Sequence, residues 1–278
     1  MSDLLRRALL VFTLGPLTLF LIYLGGWFYF LPFAALLAIA LFEFAKLAEK
    51  LGWKTPLWLL FPFVLAQWIL PKPVQKMLFP NLNISVDFLA LALLIGLLAI
   101  LGYVLWLYER RPEADAPGSW MANVTALVLL GWLGSHFFRI RGLEIEDAAA
   151  WTALAMLGTW IADSGAYVFG KSFGRHKLSP KLSPNKTIEG YVGGAITGTV
   201  LTIVIAFFLN LDIYQALALG LLVSFISPVG DLGVSLLKRS VDVKDSGNLL
   251  PGHGGALDRI DSLVWSMAIA YYLLLFTS

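Results

Sequence analysis

A small set of carboxylates, hydroxyls and cations in the second half of the chain has the types and spacing to work on phosphates. Asp231 closes a long apolar stretch. Ser235 and Lys238 follow it at i+4 and i+7, on one face of any helix that continues through them. Asp258 and Asp261 stand three apart at the start of the last apolar stretch and also share a face. Carboxylates from two neighbouring helices can hold a hard cation such as Mg²⁺ through oxygen. Between the pairs run Arg239, Lys244-Asp245 and Pro251-Gly252-His253-Gly254-Gly255. The glycines allow close backbone approach and positive φ, and such backbone beside a helix N-terminus can cradle phosphate.

An earlier segment adds to this. Trp160, Asp163, Ser164 and Tyr167 lie in the apolar stretch 148–170, with Asp163 one to two turns from its end. Residues 171–189 then supply Lys171, Arg175, His176, Lys177, Lys181, Ser183, Lys186, Thr187 and Glu189. So many cations and hydroxyls suit a polyanion such as a nucleoside triphosphate. Lys186 and Thr187 open the next apolar stretch, where a helix N-terminus also favours anions.

The elements that must position these groups are membrane helices. Of 278 residues 59% are hydrophobic and only 14% charged, and the mean hydropathy is +0.79. A soluble domain carries about 25% charged residues. The excess of apolar side chains is too large for one core, so lipid must solvate much of the surface. Spanning segments must then satisfy their own backbone groups. The apolar runs are continuous over about 20 residues rather than alternating over about 10, which selects helices over a barrel. The fold class expected is all-α: a polytopic integral membrane protein of about nine transmembrane helices, at 8–25, 27–48, 56–71, 88–108, 119–138, 148–170, 190–209, 212–232 and 260–277. The third is short, contains Pro62, and is expected to tilt or re-enter. The first has no small-residue cleavage site and reads as an uncleaved span rather than a signal peptide. There is no cysteine, and hence no disulfide or thiolate chemistry.

Counting positive charge sets the orientation. Sixteen of the 20 Lys and Arg fall on one side of this arrangement, leaving Lys72, Lys76, Arg139 and Arg141 on the other. The N-terminus and the even-to-odd connections are therefore cytoplasmic and the C-terminus outside. Asp163, Lys186, Glu189, Asp231, Asp258 and Asp261 come to one cytoplasmic level, consistent with a metal-phosphate site open to cytosol and lipid. Residues 1–110 form an N-terminal set of four spans. Residues 111–278 form a catalytic region of five, with long polar loops at 171–189 and 233–259, and long ordered loops usually carry function. A formal charge of +2 gives no reason to expect a nucleic-acid partner.

At these residues the sequence resembles the phosphatidate cytidylyltransferase, or CDP-diacylglycerol synthase, family. Ser235 to Asp261 follows the family pattern over 27 aligned positions, from Ser-x-hydrophobic-Lys-Arg through Lys-Asp to x-His-Gly-Gly-hydrophobic-x-Asp-Arg-hydrophobic-Asp. Ala256 stands where a larger aliphatic residue is usual. Asp163-Ser164-Gly165-Ala166-Tyr167 and Ser183-Pro184-Asn185-Lys186-Thr187-Ile188-Glu189-Gly190 also resemble the family, whereas the first 110 residues do so only in hydropathy. The resemblance implies that phosphatidate and CTP give CDP-diacylglycerol and pyrophosphate at the cytoplasmic (inner) membrane, in a homodimer surrounded by membrane lipid. It implies Mg²⁺, with a second cation allowed, held by Asp231 and Asp258, and by Asp261 as second choice. Asp163 and Glu189 would hold the second cation or orient Lys186. His253 and Lys238 would act at the reacting phosphates. Lys186, Thr187, Ser183, Ser235, Lys238, Arg239, Lys244 and Arg259 would bind substrate.

Plainer readings stand beside these. Asp258, Arg259 and Asp261 can be a helix cap with its ion pair. Asp231 can mark the membrane edge, Asp163 can partner a buried cation, and His253 can be a loop hydrogen-bonder. Glu43, one turn before Lys46, reads as half of a surface ion pair. The nearest rival activity is a CTP-dependent polyprenol or phytol kinase. A transporter would instead distribute its ionisable groups through the membrane.

Overall fold

The computed structural model describes residues 3–81, 88–111, 114–249 and 254–277, with side chains from Thr13 onward. Among the described residues the chain's regular structure is helical apart from one short hairpin. In order it forms α1 (Asp3–Leu24), α2 (Gly26–Lys50), α3 (Leu57–Ile69), α4 (Lys72–Leu78), α5 (Phe88–Arg110), α6 (Ala116–Ala126) and α7 (Gly134–Arg141). It continues through α8 (Ala148–Phe173), β1 (Lys177–Ser179), β2 (Ser183–Thr187), α9 (Ile188–Phe208), α10 (Ile213–Arg239), α11 (Leu257–Ile260) and α12 (Leu263–Thr277). Leu127–Leu133 joins α6 to α7 as a π-helical turn, so the three make one continuous rod.

Among the described residues six helices are long and apolar enough to cross a membrane: α2, α5, the α6–α7 rod, α9, α10 and the α11–α12 pair. A seventh candidate is α3 with α4, bent by 91° between them. That bend falls in the segment expected to tilt or re-enter. Two of the nine expected spans lie outside this set. α1 runs Asp3–Leu24, and its part with described side chains, Thr13–Leu24, is a shorter apolar helix. The 26-residue α8 is long enough, but Asp163, Ser164, Lys171 and its Gly, Thr and Trp hold its hydropathy down.

Two backbone carbonyls are matched by side chains where the rod departs from α-helical bonding. A π turn displaces carbonyls from their usual partners, and α3 supplies donors there. Trp68 Nε1 donates to the Leu130 carbonyl at 2.8 Å and Gln67 Nε2 to that of Leu127 at 3.4 Å. Tyr29 of α2 donates to the Phe137 carbonyl at 2.9 Å, among the packed rings of Phe30, Phe33 and Phe138. These contacts tie the N-terminal helices to the rod.

The helices that carry the site pack backbone to backbone. Small residues permit this where lipid offers no hydrophobic drive between helices. A Cβ on Gly194 would lie 2.5 Å from the Ala162 carbonyl oxygen, and one on Gly190 2.6 Å from that of Ala166, so α8 and α9 need glycine there. Gly230 serves α10 and α12 alike, since its Cβ would meet the Asp261 carbonyl at 2.6 Å. Gly194→Val is expected to cost about 1–3 kcal/mol, because backbone atoms cannot swing aside. Gly102→Ala, with nothing within 4 Å, should cost nothing. Thermal unfolding in detergent compares the two.

Candidate active site

A cavity of about 490 Å³ lies between α8, the hairpin, α9 and α10. α8 lines it with Asp163, Tyr167 and Lys171, β2 with Asn185, Lys186 and Thr187, and α9 with Tyr191 and Gly194. α10 contributes Ser224, Pro228 and Asp231, spaced four and three apart on one helical face. Pro228 cannot donate to the Ser224 carbonyl and disturbs the α10 ladder. Tyr191 meets that disturbance by donating to the Phe225 carbonyl at 2.7 Å. The hairpin pairs Lys177 with Thr187 and Ser179 with Ser183. Thr187 then caps α9, its hydroxyl accepting from Gly190 N at 3.1 Å. This short β–α junction delivers Lys186 to the cavity.

The charged centre forms where α10 meets the α11–α12 junction. Lys186 Nζ lies 2.5 Å from Asp231 Oδ2, and Ser235 Oγ donates to Asp231 Oδ1 at 3.2 Å. The carboxyl of Asp261 lies against that of Asp231. Asp261 is only 7% exposed and accepts from Ser262 N at 2.7 Å. Asp163 faces them from α8, close enough to feel the charges of Lys186, Asp231 and Arg259. The sequence-predicted residues Asp163, Lys186, Asp231, Ser235 and Asp261 therefore come together, with Arg259 near enough for its charge to act on Asp163.

Asp258 belongs to an adjoining, buried cluster. Lys238 Nζ holds its Oδ1 at 2.6 Å, and Ser246 N and Gly255 N both donate to Oδ2 at 2.8 Å. Lys238 also lies near Asp231 and Asp261, so it stands between the two groups. Both oxygens of Asp258 are thus engaged, and it is Asp261 that sits beside Asp231.

Other expected site residues are placed elsewhere. Glu189 accepts from Arg175 N at 3.0 Å and pairs with His176 Nδ1 at 2.5 Å, fastening the hairpin to the start of α9. Arg239 donates to the carbonyls of Leu182 and Val243, at 3.1 and 3.0 Å, and ties the hairpin turn to the loop after α10. Lys244 is exposed on that loop, and Ser183 sits in β2. His253 lies outside the described residues.

Glu43 departs from the surface ion pair that its spacing to Lys46 predicts. Glu43 does not pair with Lys46, whose ammonium lies over the Phe42 ring at 4.3 Å from its centroid. Glu43 is buried, and its carboxylate accepts from the backbone of Ala256 and Leu257. A lone acid within the apolar run of α2 was the available signal, since buried charge in a membrane helix marks a specific partner.

The donor set suits a hard cation. Asp231 and Asp261 present carboxylate oxygens side by side, and a divalent ion would neutralise this like-charged pair. Mg²⁺ takes one or two carboxylates and fills its remaining positions with water and substrate phosphate. Among the described residues no three His, Asp or Glu converge on a single metal position.

Apolar helices packed around a cavity with carboxylates and lysines at one end define a membrane-embedded enzyme acting on phosphates. Residues 5–277 match the cytidylyltransferase family, and the chain belongs to it. It is 35% identical to the phosphatidate cytidylyltransferase of Bacillus subtilis (strain 168), over 99% of this chain and 98% of that protein. It is 40% identical to the phosphatidate cytidylyltransferase of Staphylococcus haemolyticus over 56% of this chain and 61% of that protein. The corresponding Staphylococcus aureus (strain COL) enzyme is 37% identical over 63% of this chain and 65% of its own length. With the staphylococcal relatives the alignment thus spans under two thirds of their length.

Proposed function

We propose that this protein transfers the cytidylyl group of CTP to phosphatidate, giving CDP-diacylglycerol and pyrophosphate for phospholipid synthesis. The supporting observation is a cavity walled largely by small residues that carries Lys186, Asp163 and Asp231 in its lining, with Asp261 behind Asp231, matched to a lipid whose only charged part is its phosphate. A phosphate oxygen of phosphatidate attacks the α-phosphorus of CTP. The new P–O bond forms as the bond to the bridging oxygen of the β-phosphate breaks, and that oxygen leaves with pyrophosphate. The attacking oxygen arrives ionised, so no side chain need remove a proton. Positioning and charge stabilisation remain for the protein. Lys186, at the cavity wall, exchanges its contact with Asp231 for substrate phosphate, and Arg259 adds charge from α11. Asp231 and Asp261 would hold Mg²⁺, which neutralises charge on the transferring phosphate; Asp163 is the candidate for a second cation.

The membrane arrangement is part of this reading. α1, α8 and the bent α3–α4 pair join the six long apolar helices to give nine spans, N-terminus in and C-terminus out, in the cytoplasmic membrane. The cavity then opens to the cytosol, where CTP is found. A homodimer is the expected assembly.

The test is incubation of the detergent-purified protein with phosphatidate, Mg²⁺ and CTP labelled at the α-phosphate. Label is expected in the lipid with stoichiometric pyrophosphate release, and EDTA should abolish both. Label reaching a polyprenol from γ-labelled CTP, with none reaching phosphatidate from α-labelled CTP, would identify a lipid kinase instead.

A further inference from the structure

We propose that Glu43, on α2, is a positioning residue for cytidylyl transfer, acting from the N-terminal half of the chain on the loop that carries Asp258 and Asp261. Glu43 is 6% exposed, and its carboxylate takes three bonds from residues more than 200 positions away. Oε1 accepts from Ala256 N at 3.1 Å. Oε2 accepts from Leu257 N at 2.9 Å and lies 2.7 Å from Ser246 Oγ. The Ala256 and Leu257 amides open α11 and have no partner within that helix, so a carboxylate from another helix does the work of a cap.

The loop is shaped around this carboxylate. A Cβ at Gly247 or at Gly255 would come within 2.2 Å of a Glu43 oxygen. Glycine at both positions lets the loop backbone close onto the Glu43 carboxylate, and at Gly255 onto Ser246 Oγ as well. Ser246 Oγ also lies 3.0 Å from Asp258 Oδ2. Its single proton is shared between the two carboxylates, which makes Ser246 the bridge from Glu43 to the Lys238–Asp258 pair. Asp261 follows one turn later in the same segment. Any rotation of α11 about its start moves Asp261 relative to Asp231, and displacements near 1 Å can cost about 100-fold in rate.

The inference rests on the cytidylyl-transfer reading, and its test separates the two. Glu43→Gln keeps size but offers one acceptor oxygen where the loop presents two amides and a hydroxyl. It is expected to lower kcat about 10- to 100-fold with KM for CTP changed by less than about threefold, because Glu43 does not line the cavity. Ser246→Ala should give a smaller loss, and the double variant should be no worse than Glu43→Gln alone, since both act through one loop. Hydrogen exchange at the Ala256 and Leu257 amides, which needs no activity, should speed at least tenfold in Glu43→Gln. Wild-type exchange at these amides, kcat equal to wild type in either folded variant, or additive losses in the double would each overturn the proposal. If Glu43→Gln does not fold, full kcat in Ser246→Ala overturns it alone. A wild-type protein inactive with CTP and phosphatidate, but with the exchange difference intact, would overturn the activity and leave the clamp standing.

Discussion

Asp231→Asn and Asp261→Asn are each expected to reduce kcat by about 100- to 1,000-fold, the range seen when one preorganised charge-stabilising group is lost, while leaving the protein folded. Asparagine keeps shape and one acceptor oxygen but removes the charge that would hold Mg²⁺. At Asp231 the change strands Lys186, but that side chain is 28% exposed, so solvent limits the cost in stability. At Asp261 it relieves the contact between two carboxyls, and stability should hold or rise. The Mg²⁺ concentration for half-maximal rate should increase in both. Pyrophosphate release against Mg²⁺ checks this, alongside thermal unfolding. If either variant keeps wild-type kcat and Mg²⁺ dependence, the pair does not hold the metal.

Lys238→Met should produce the largest loss of stability, about 3–5 kcal/mol, because it leaves Asp258 as an uncompensated buried charge. The two side chains are 9% and 7% exposed, so water cannot take over from the ammonium. Adding Asp258→Asn should recover more than half of that loss. The asparagine oxygen can still accept from Ser246 N and Gly255 N, and no net charge stays buried. Activity should not return with stability, since Lys238 also lies beside Asp231 and Asp261. Unfolding in detergent and cytidylyl transfer by the folded fraction separate the two effects. A Lys238→Met variant as stable as wild type would show that the pair contributes nothing net.

What the sequence determined by itself is what local patterning can encode. Run length and hydropathy specify a helical membrane protein. The Lys, Asp and Gly content of 171–189 and 233–259 marks where phosphate chemistry belongs, and Asp163, Lys186, Asp231, Ser235 and Asp261 do meet there. Helical spacing put Asp258 and Asp261 on one face, but it could not say which of them turns toward Asp231. Only the tertiary structure decides that. Lys238 of α10 and the amides of Ser246 and Gly255 saturate Asp258, which leaves Asp261 beside Asp231. Glu189 is likewise claimed by the hairpin it follows. Glu43 is the furthest from legible, because no short-range pattern links α2 to an amide more than 200 residues away. Its role exists only once α2 packs against α11, where burial makes each unpaired amide or carboxylate costly enough to select its partner.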